Sequence, residues 1–207
     1  MTSHAEMTTD ARAALLEAGA RVFAGEGFHG ATVEDIAEAA GFTRGAFYAH
    51  FTDKADLLLT LMEERDREGL DDLESRLATE TGDASVMATV GWFLDRFTTP
   101  SALDRAIGEF GASTISDPEH AARMRRVFRT GRDRVATMSV QGFAGAGTEL
   151  PIDPDRFAAM LIALLNGFAS LQRLDPDTVP ADALGEAITY LGEGVLAAAA
   201  RAASTDA

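Results

Sequence analysis

The sequence predicts an all-α protein of about nine helices. Apolar residues recur at intervals of three and four along most of the chain, which is the period of an amphipathic helix. Serine, threonine, aspartate or proline stands near the start of most of these segments, as expected of helix N-termini. No alternating apolar and polar run is long enough to predict a strand. With 207 residues, 46% of them hydrophobic, the chain can bury a substantial core.

The first predicted helix begins at Asp10 and carries apolar residues such as Leu16 and Phe23 at helical spacing. Gly25 and Gly27 are expected to end it, because glycine is a poor helix former. Residues 1–9 are polar and are expected to be frayed. We expect this helix to brace the two short helices that follow.

A capping box predicts the start of the second helix. Thr32 is followed three residues later by Asp35, so each side chain can bond the backbone N–H of the other, and the helix begins at Val33. Gly41 lies where a helix commonly ends in a left-handed residue, which glycine adopts without a steric penalty. The second helix is therefore short and ends sharply.

The third helix follows after a short turn. Thr43 can cap it, and the 3.6-residue period places Phe47 and Phe51 on its inward side. The outward side carries Arg44, Gly45 and Tyr48. Two short helices joined by a glycine-containing turn match the helix-turn-helix, whose second helix lies in the major groove of DNA.

Later helices are predicted from their own caps. Asp53 with Asp56 begins a long helix that runs toward residue 79, and we expect its charged segment, residues 63–74, to be a solvated face. An aromatic-rich helix near residues 87–97 follows. Further helix starts are predicted at Ser101 with Asp104, at Asp117 with Pro118, at Asp153 with Pro154 and at Pro180.

One helix face between residues 123 and 134 is rich in arginine within a strongly acidic chain. The favoured interpretation is a solvated face that pairs with carboxylates of the same protein, and binding of an anionic ligand or a phosphate stays open. The residues are Arg123, Arg125, Arg126, Arg129, Arg132 and Arg134.

The last two predicted helices are apolar on more than one face, which a small monomer core cannot cover. We therefore predict a homodimer in which each chain contributes this helix pair to a four-helix bundle between subunits. The residues assigned to the interface are Phe157, Leu161, Leu164, Phe168, Leu184, Ile188, Leu191 and Val195.

Several classes of protein are disfavoured. The chain has no cysteine, its N-terminus lacks the basic and apolar pattern of a secretory signal, and its longest apolar stretch is too short to span a membrane. We expect a soluble, cytoplasmic protein. No motif of a metalloprotease, nucleophile elbow, phosphate loop or dinucleotide site is present, and four scattered histidines form no spaced metal set. We expect no enzyme activity, metal or cofactor.

The net charge of −15 is unusual for a nucleic-acid-binding protein. Even residues 1–54 carry four cationic side chains against eight carboxylates. Few phosphate charges can then be neutralised, so we expect weak non-specific DNA binding and a shallow dependence of affinity on salt.

Residues 27–58, GFHGATVEDIAEAAGFTRGAFYAHFTDKADLL, closely resemble the DNA-binding domain of the tetracycline-repressor (TetR/AcrR) family of bacterial transcription regulators. The threonine, the IA-xx-AG turn, the Tyr-x-His-Phe segment and the following lysine occur together at fixed spacing. The resemblance implies a DNA-binding domain over residues 1–54 and a ligand-binding and dimerisation domain over residues 55–207. It also implies a ligand-responsive dimer, most often a repressor, that binds a palindromic operator.

The same resemblance implies contacts for individual residues. It assigns Thr32 and Tyr48 to phosphates, His50 and Lys54 to the DNA backbone, and Thr43, Arg44 and Gly45 to the groove. Capping alone is an equal alternative for Thr32, and packing is one for His50. Ala46 stands where the family often has threonine, which leaves the operator sequence open.

The resemblance further implies an effector pocket among the middle helices, for a mostly hydrophobic small molecule. The candidates are Trp92, Phe93, Phe97, Phe110, Met124, Phe128 and Met138, with Glu109, Asn166 and Gln172 as polar residues that could orient a ligand. Aromatic and methionine residues at helical spacing are also typical of plain core. A helical carrier or adaptor for apolar ligands, without operator binding, is the alternative function.

Overall fold

The computed structural model describes residues 4–78, 92, 101–114, 117–145 and 147–205, and all regular structure there is α-helical. The predicted all-α fold is confirmed. The expected helix near residues 87–97 lies outside the described residues apart from Trp92, which is helical. The eight helices of the described ranges are α1 (His4–Gly30), α2 (Val33–Ala39), α3 (Arg44–Tyr48), α4 (Lys54–Leu77), α5 (Ala102–Thr114), α6 (Pro118–Gly145), α7 (Pro154–Leu174) and α8 (Ala181–Thr205).

Helix starts agree with the predicted caps. In each case a side-chain oxygen accepts a backbone N–H at the helix N-terminus, either in the first turn or at the cap residue. The bonds are Asp56 N–H to Asp53 Oδ1 at 2.8 Å, Ser101 N–H to Asp104 Oδ2 at 2.8 Å, His120 N–H to Asp117 Oδ1 at 3.1 Å and Arg156 N–H to Asp153 Oδ1 at 2.9 Å.

Helix α1 differs from its prediction at both ends. It begins at His4 rather than Asp10, and it continues through a kink at Gly27 to Gly30. Gly27 has φ 74° and ψ −179°, a conformation that other residues rarely adopt. A Cβ atom there would also lie 2.6 Å from Glu109 Oε1. Glycine at this position is therefore required by both the backbone and the neighbouring side chain.

The chain divides into two compact units, which are made of the described residues of Met1–Asp66 with Ser101–Phe128 and of Arg67–Pro100 with Arg129–Ala207. The first unit thus contains α5 and the start of α6 as well as α1, α2 and α3. It extends beyond the division at residue 54 that the sequence suggested, because α5 packs along α1. The functional division at residue 54 stays a prediction.

The first unit has a core of aromatic and aliphatic side chains from α1 to α6. Side chains of α3 and of the start of α4 pack against those of α1 in this core, so burial of its apolar side fixes the position of α3. Its largest fully buried side chains are Leu15, Phe23, Ile36, Phe47, Leu57, Leu58, Leu59 and Phe110.

The second unit has its own core, to which α7 and α8 contribute most of the apolar residues. Five of the residues predicted for the interface, Phe157, Leu161, Leu184, Ile188 and Val195, are buried within their own chain, and the interface itself stays a prediction. Phe168 and Leu191 are half-buried against the same core, and Leu164 is half-buried. Helical periodicity showed that both helices are broadly apolar, but it could not show which stripe faces the chain's own core.

Other apolar side chains of α7 and α8 remain exposed. The exposed fractions are 52% for Met160, 53% for Leu171, 80% for Leu174 and 69% for Tyr190. None of the described helices has an apolar stretch long enough to cross a membrane.

Candidate nucleic-acid interface

The entry to α2 is held by the predicted capping box. The N–H of Asp35 donates to Thr32 Oγ1 at 3.1 Å, and the N–H of Thr32 donates to Asp35 Oδ2 at 3.0 Å. The Thr32 hydroxyl also donates to Asp35 Oδ2 at 2.5 Å. The capping role of Thr32 is confirmed, and the phosphate contact stays a prediction, since the residue is exposed.

The turn between α2 and α3 follows the predicted chemistry. Gly41 has φ 75°, and the N–H of Phe42 donates to the carbonyl of Ala37 at 2.8 Å. Thr43 then caps α3, its Oγ1 accepting the N–H of Ala46 at 3.3 Å. Glycine at position 41 lets the chain reverse within a few residues and present α3 at an angle to α2.

The outward face of α3 brings together three of the predicted contact residues. Arg44 Nη2 lies 3.3 Å from Tyr48 Oη, and its guanidinium carbon lies 5.5 Å from the centre of the Tyr48 ring. Gly45 lies beside them, and a Cβ added there would meet only Thr43 Oγ1, at 3.7 Å. On the inward face, Phe47 is fully buried and Phe51 nearly so. The core therefore holds α3 while its polar face stays open to solvent.

Arg44 also forms an ion pair with Glu34 of α2. The hydrogen bond to Tyr48, followed by the charge of Glu34, raises the pKa of Arg44 above its ordinary value. The side chain is thus a fixed cation with two partners from its own domain. Sequence reasoning missed Glu34 because the pair joins residues of different helices.

Lys54 has a structural role that the sequence did not reveal. Its Nζ donates to the carbonyls of Phe28 at 2.7 Å and of Ala31 at 2.8 Å, and lies 4.7 Å from the centre of the Phe28 ring. Partial burial lowers its pKa, which the charge of Glu109 opposes. Lys54 ties the start of α4 to the end of α1, and its assigned DNA contact stays a prediction.

His50 is half-buried, with its backbone N–H donating to the Phe47 carbonyl at 2.9 Å. This position permits either of the two roles that the sequence left open. No group of three or more His, Cys, Asp or Glu residues in the described ranges could hold a metal ion.

Two side chains of α5 form hydrogen bonds with the backbone of α1 on either side of its kink at Gly27. Arg105 Nη2 donates to the carbonyls of Ala24 at 3.3 Å and Gly25 at 2.8 Å. Glu109 Oε2 accepts the N–H groups of Phe28 at 2.8 Å and His29 at 3.2 Å. We call these two side chains the α5 clamp.

Glu109, a candidate for orienting a ligand, accepts hydrogen bonds from the backbone of α1, and its ligand role stays a prediction. The hydrogen bond from His29 N–H, followed by that from Phe28 N–H and the charge of Arg105, lowers the pKa of Glu109, against an opposing effect of desolvation. The carboxylate is held in its charged form by the groups that it binds.

Three candidates for the effector pocket belong to the first unit or its margin. Phe110 is fully buried in the first core, and Met124 is half-buried against it. Phe128 is 49% exposed. The first two pack in or against the first core and the third is exposed, and a role of the three in an effector pocket stays a prediction.

The remaining candidates lie in the second unit. Trp92 is half-buried against the second core. Asn166 is exposed, and its Nδ2 donates to the Ile162 carbonyl at 2.9 Å within α7. Phe93 and Phe97 lie outside the described residues. A shared pocket for these residues stays a prediction.

A cleft of about 310 Å³ opens in the second unit between α4 and α6. Of the residues considered above, Met138 and Arg134 line it, and Arg134 is bound to Asp71 at 2.7 Å and Glu74 at 3.0 Å. The remaining lining residues, Thr130, Asp133, Thr137 and Gln141, are polar and exposed. Whether an effector binds in this cleft stays a prediction to be tested.

Three of the six arginines on the arginine-rich face of α6 form ion pairs within the chain. Arg123 binds Asp56 and Glu63, Arg132 binds Asp133 and Asp155, and Arg134 binds Asp71 and Glu74. Arg125, Arg126 and Arg129 are exposed. The favoured interpretation is therefore supported for the three arginines nearest α4 or α7.

Two family models match the chain. The model described as "Bacterial regulatory proteins, tetR family" matches residues 15–61, which include the whole helix-turn-helix. The model described as "BetI-type transcriptional repressor, C-terminal" matches residues 83–197, more than half of the chain. The chain belongs to the TetR family. Its helix-turn-helix and the helices described in its second unit are those of a TetR-family protein.

Among curated TetR-family relatives, the chain is similar to the HTH-type transcriptional repressor AcnR of Corynebacterium glutamicum, with 46% identity over 56 residues. That match covers 27% of this chain and 30% of AcnR, so the likeness is confined to less than a third of either protein.

Solved structures extend the likeness to the whole fold. A putative TetR-family transcriptional regulator from Rhodococcus sp. matches with a TM-score of 0.72 and 22% identity, covering 90% of this chain and 98% of that one. A putative transcriptional regulator from Saccharomonospora viridis, solved in complex with choline, matches with a TM-score of 0.70 and 20% identity, covering 89% and 96%. At these identities the comparison concerns the fold.

Proposed function

We propose that this TetR-family protein is a dimeric transcriptional repressor that binds a palindromic DNA operator and is released by a small molecule. The observation that carries the proposal is the outward face of α3, where Arg44, Gly45 and Tyr48 lie exposed while Phe47 anchors the helix in the core. The action of such a protein is at the chromosome, in the cytoplasm.

The chemistry of this face suits a major groove. Arg44 is long enough to donate two hydrogen bonds to a guanine edge, and Tyr48 can donate its hydroxyl to a phosphate. Gly45 has no side chain, and only Thr43 Oγ1 lies within 4 Å of the position that a Cβ would take, so the groove floor can approach the backbone closely. Thr32, Thr43, His50 and Lys54 would add contacts along the phosphate backbone or the groove edge.

The outer face of α7 and α8 supports the proposed dimer. Met160, Leu171 and Leu174 are exposed at helical spacing along α7, and Tyr190 is exposed on α8. Gly167 lies on the same side of α7, with no atom within 4 Å of the position that a Cβ would take. Small residues in an apolar stripe allow a second helix to approach closely, so a symmetric bundle of these helices would cover the stripe.

Release by an effector would work by changing the distance between the two α3 helices. A dimer reads successive major grooves when its recognition helices lie about 34 to 36 Å apart. Helix α4 begins beside the helix-turn-helix and continues into the second unit, and the α5 clamp binds α1. A shift of α4 or of α5 would therefore move the helix-turn-helix, which we call the reading head. A structure of this fold holds choline, but at 20% identity that ligand is not carried over to this chain.

A gel shift with the DNA upstream of the protein's own gene tests the proposal. The proposal is supported if the protein retards this DNA and an excess of unrelated duplex does not abolish the shift. The contrasting function is a helical carrier or adaptor without operator binding, which the net charge of −15 favours. That function is indicated if no upstream or selected duplex is bound in preference to unrelated DNA. An enzyme is disfavoured, because the matching families are those of regulators.

A further inference from the structure

All four lysine and arginine side chains of residues 1–54 lie in the described part of the chain, and all have partners within the protein. This is unusual for a surface that meets a polyanion, where cationic side chains are commonly free to bind phosphates. The pairs are Arg12 with Glu64 at 3.2 Å, Arg21 with Glu17 at 2.6 Å, Arg44 with Glu34, and Lys54 with the carbonyls of Phe28 and Ala31.

The pair between Arg44 and Glu34 differs from the others because it lies on the DNA-reading face itself. Glu34 stands in the first turn of α2, and its side chain is 56% exposed, while that of Arg44 is 60% exposed. The guanidinium contacts Tyr48 at the same time. The Glu34 carboxylate therefore accepts a hydrogen bond from an Arg44 N–H group that could otherwise donate to a guanine edge or a phosphate.

We propose that Glu34 is an intramolecular competitor of DNA for Arg44, so that binding exchanges the Glu34 carboxylate for a DNA acceptor. This inference rests on the proposed function. Carboxylates and phosphates bind a guanidinium through the same fork of N–H donors, so one group of N–H donors cannot fully serve both. The competitor also leaves a negative charge close to the phosphates once it has been displaced.

The size of the effect follows from the exposure of the pair. An exposed ion pair contributes little in water, and breaking it lowers affinity by about two- to fivefold for each reading head. In a dimer the losses of affinity at the two reading heads would multiply. Glu34 would thereby lower the DNA affinity of a single reading head, so that tight binding requires both reading heads to bind their half-sites.

The test compares the full-length Glu34→Gln variant with wild type by fluorescence anisotropy. Two duplexes are used, a duplex of random sequence and a duplex of the same length selected by the wild-type protein from a random library, each at several salt concentrations. Glu38→Gln is the matched control, because Glu38 is an exposed carboxylate on the same helix and the change in charge is identical. Thermal unfolding checks that both variants are folded.

Glu34→Gln is expected to bind DNA more tightly than Glu38→Gln, by about two- to fivefold per head. Its plot of log affinity against log salt should be steeper than that of Glu38→Gln, because the charge of Arg44 then enters the field of the phosphates without a nearby carboxylate to offset it. In an Arg44→Ala background the gain should shrink to that of Glu38→Gln, since a competitor acts only through the residue for which it competes.

Three results would overturn the inference. The first is weaker DNA binding by Glu34→Gln, which would mean that Glu34 orients Arg44 productively. The others are a gain in affinity equal to that of Glu38→Gln, and a gain in affinity that persists in the Arg44→Ala background. If the wild type selects a duplex and Glu34→Gln gains nothing, the inference fails while the proposed function stands. If neither protein binds any duplex, the proposed function fails and the inference falls with it.

Discussion

At the scale of single residues, Gly45 offers a test that separates folding from DNA contact. An added methyl group meets nothing closer than Thr43 Oγ1 at 3.7 Å, so Gly45→Ala should fold and gain about 0.5 to 1 kcal/mol of helix stability. We expect it to weaken operator binding, because the methyl group fills space that the groove floor would occupy. Thermal unfolding and gel shifts measure the two effects.

Gly108→Ala is the control for this prediction. Gly108 is an exposed glycine of α5 with no atom within 4 Å of the position that an added methyl group would take, so the same gain in helix stability is expected without loss of DNA binding. If Gly45→Ala binds the operator as well as Gly108→Ala does, the backbone of α3 does not approach DNA closely.

Arg44 and Tyr48 provide the second prediction at this scale. Arg44→Ala should weaken operator binding by about 1 to 3 kcal/mol, the contribution of a bidentate guanine contact. Tyr48→Phe keeps the ring beside Arg44 but removes the hydroxyl, so its loss should be smaller, about 0.5 to 1.5 kcal/mol. Both side chains are exposed, and neither change should unfold the protein. Gel shifts unchanged by both variants would contradict the assignment of this face.

At the scale of helices, the α5 clamp predicts a pH-dependent stability. The folded protein lowers the pKa of Glu109 below its ordinary value, so the stabilisation is present above that ordinary value and is lost as pH falls through the folded value. Glu109→Gln should unfold at a lower temperature than wild type at neutral pH. The two unfolding temperatures should converge as the carboxyl group is protonated in acid.

Glu26→Gln is the matched control for the clamp, since Glu26 is an exposed carboxylate of α1 close to the same kink. Its unfolding temperature should differ little from that of wild type at either pH. A difference between Glu109→Gln and wild type that stays constant from neutral pH into acid would show that the clamp does not depend on the carboxylate charge.

The outer face of α7 and α8 gives the fourth prediction. Leu171→Glu places a charge in the exposed apolar stripe and should shift the protein from dimer to monomer at micromolar concentration, because burying an unpaired carboxylate is unfavourable. The monomer core should remain intact, since Leu171 is 53% exposed. Size-exclusion chromatography with light scattering measures the change.

Phe128→Glu serves as its control, because Phe128 is a similarly exposed apolar side chain on α6 rather than on the α7 and α8 stripe. It should leave the dimer unchanged. A wild-type protein that is monomeric at micromolar concentration would contradict the dimer itself, and a dimeric Leu171→Glu would show that another surface joins the subunits.

At the scale of the whole molecule, the net charge of −15 predicts how DNA affinity depends on salt. A protein that makes about six to ten phosphate contacts shows a slope of about −5 to −9 in log affinity against log salt. Here the cations of residues 1–54 are few and already paired, so we expect a clearly shallower slope. A titration of operator binding from low to physiological salt measures it, and a slope in the steep range would contradict the expectation.

Predictions from the sequence were most accurate where the interacting residues are close together in the chain. Thr32 with Asp35, Thr43 with Ala46 and Asp153 with Arg156 are each three residues apart, so the hydrogen bond follows once a helix begins. The positive φ of Gly41 follows from the same local chemistry. The helix-turn-helix and its outward residues could therefore be predicted without a structure.

Contacts between distant residues could not be predicted in this way. Lys54 binds a carbonyl 26 residues away, and Glu109 binds N–H groups 80 and 81 residues away, so neither contact follows from local spacing. The roles that the sequence suggested for both residues stay predictions. Leu161 and Phe157 were assigned to a partner subunit because periodicity shows that a stripe is apolar but not what covers it.

The amino-acid sequence by itself determined the helical fold, the helix caps and the side chains that α3 presents, because these depend on backbone chemistry and on a period of 3.6 residues. Only the tertiary structure decided which charges are paired and which apolar stripe is exposed. Packing brings Glu34 to Arg44 and α5 to the kink at Gly27, and such pairings depend on how separate helices meet in space.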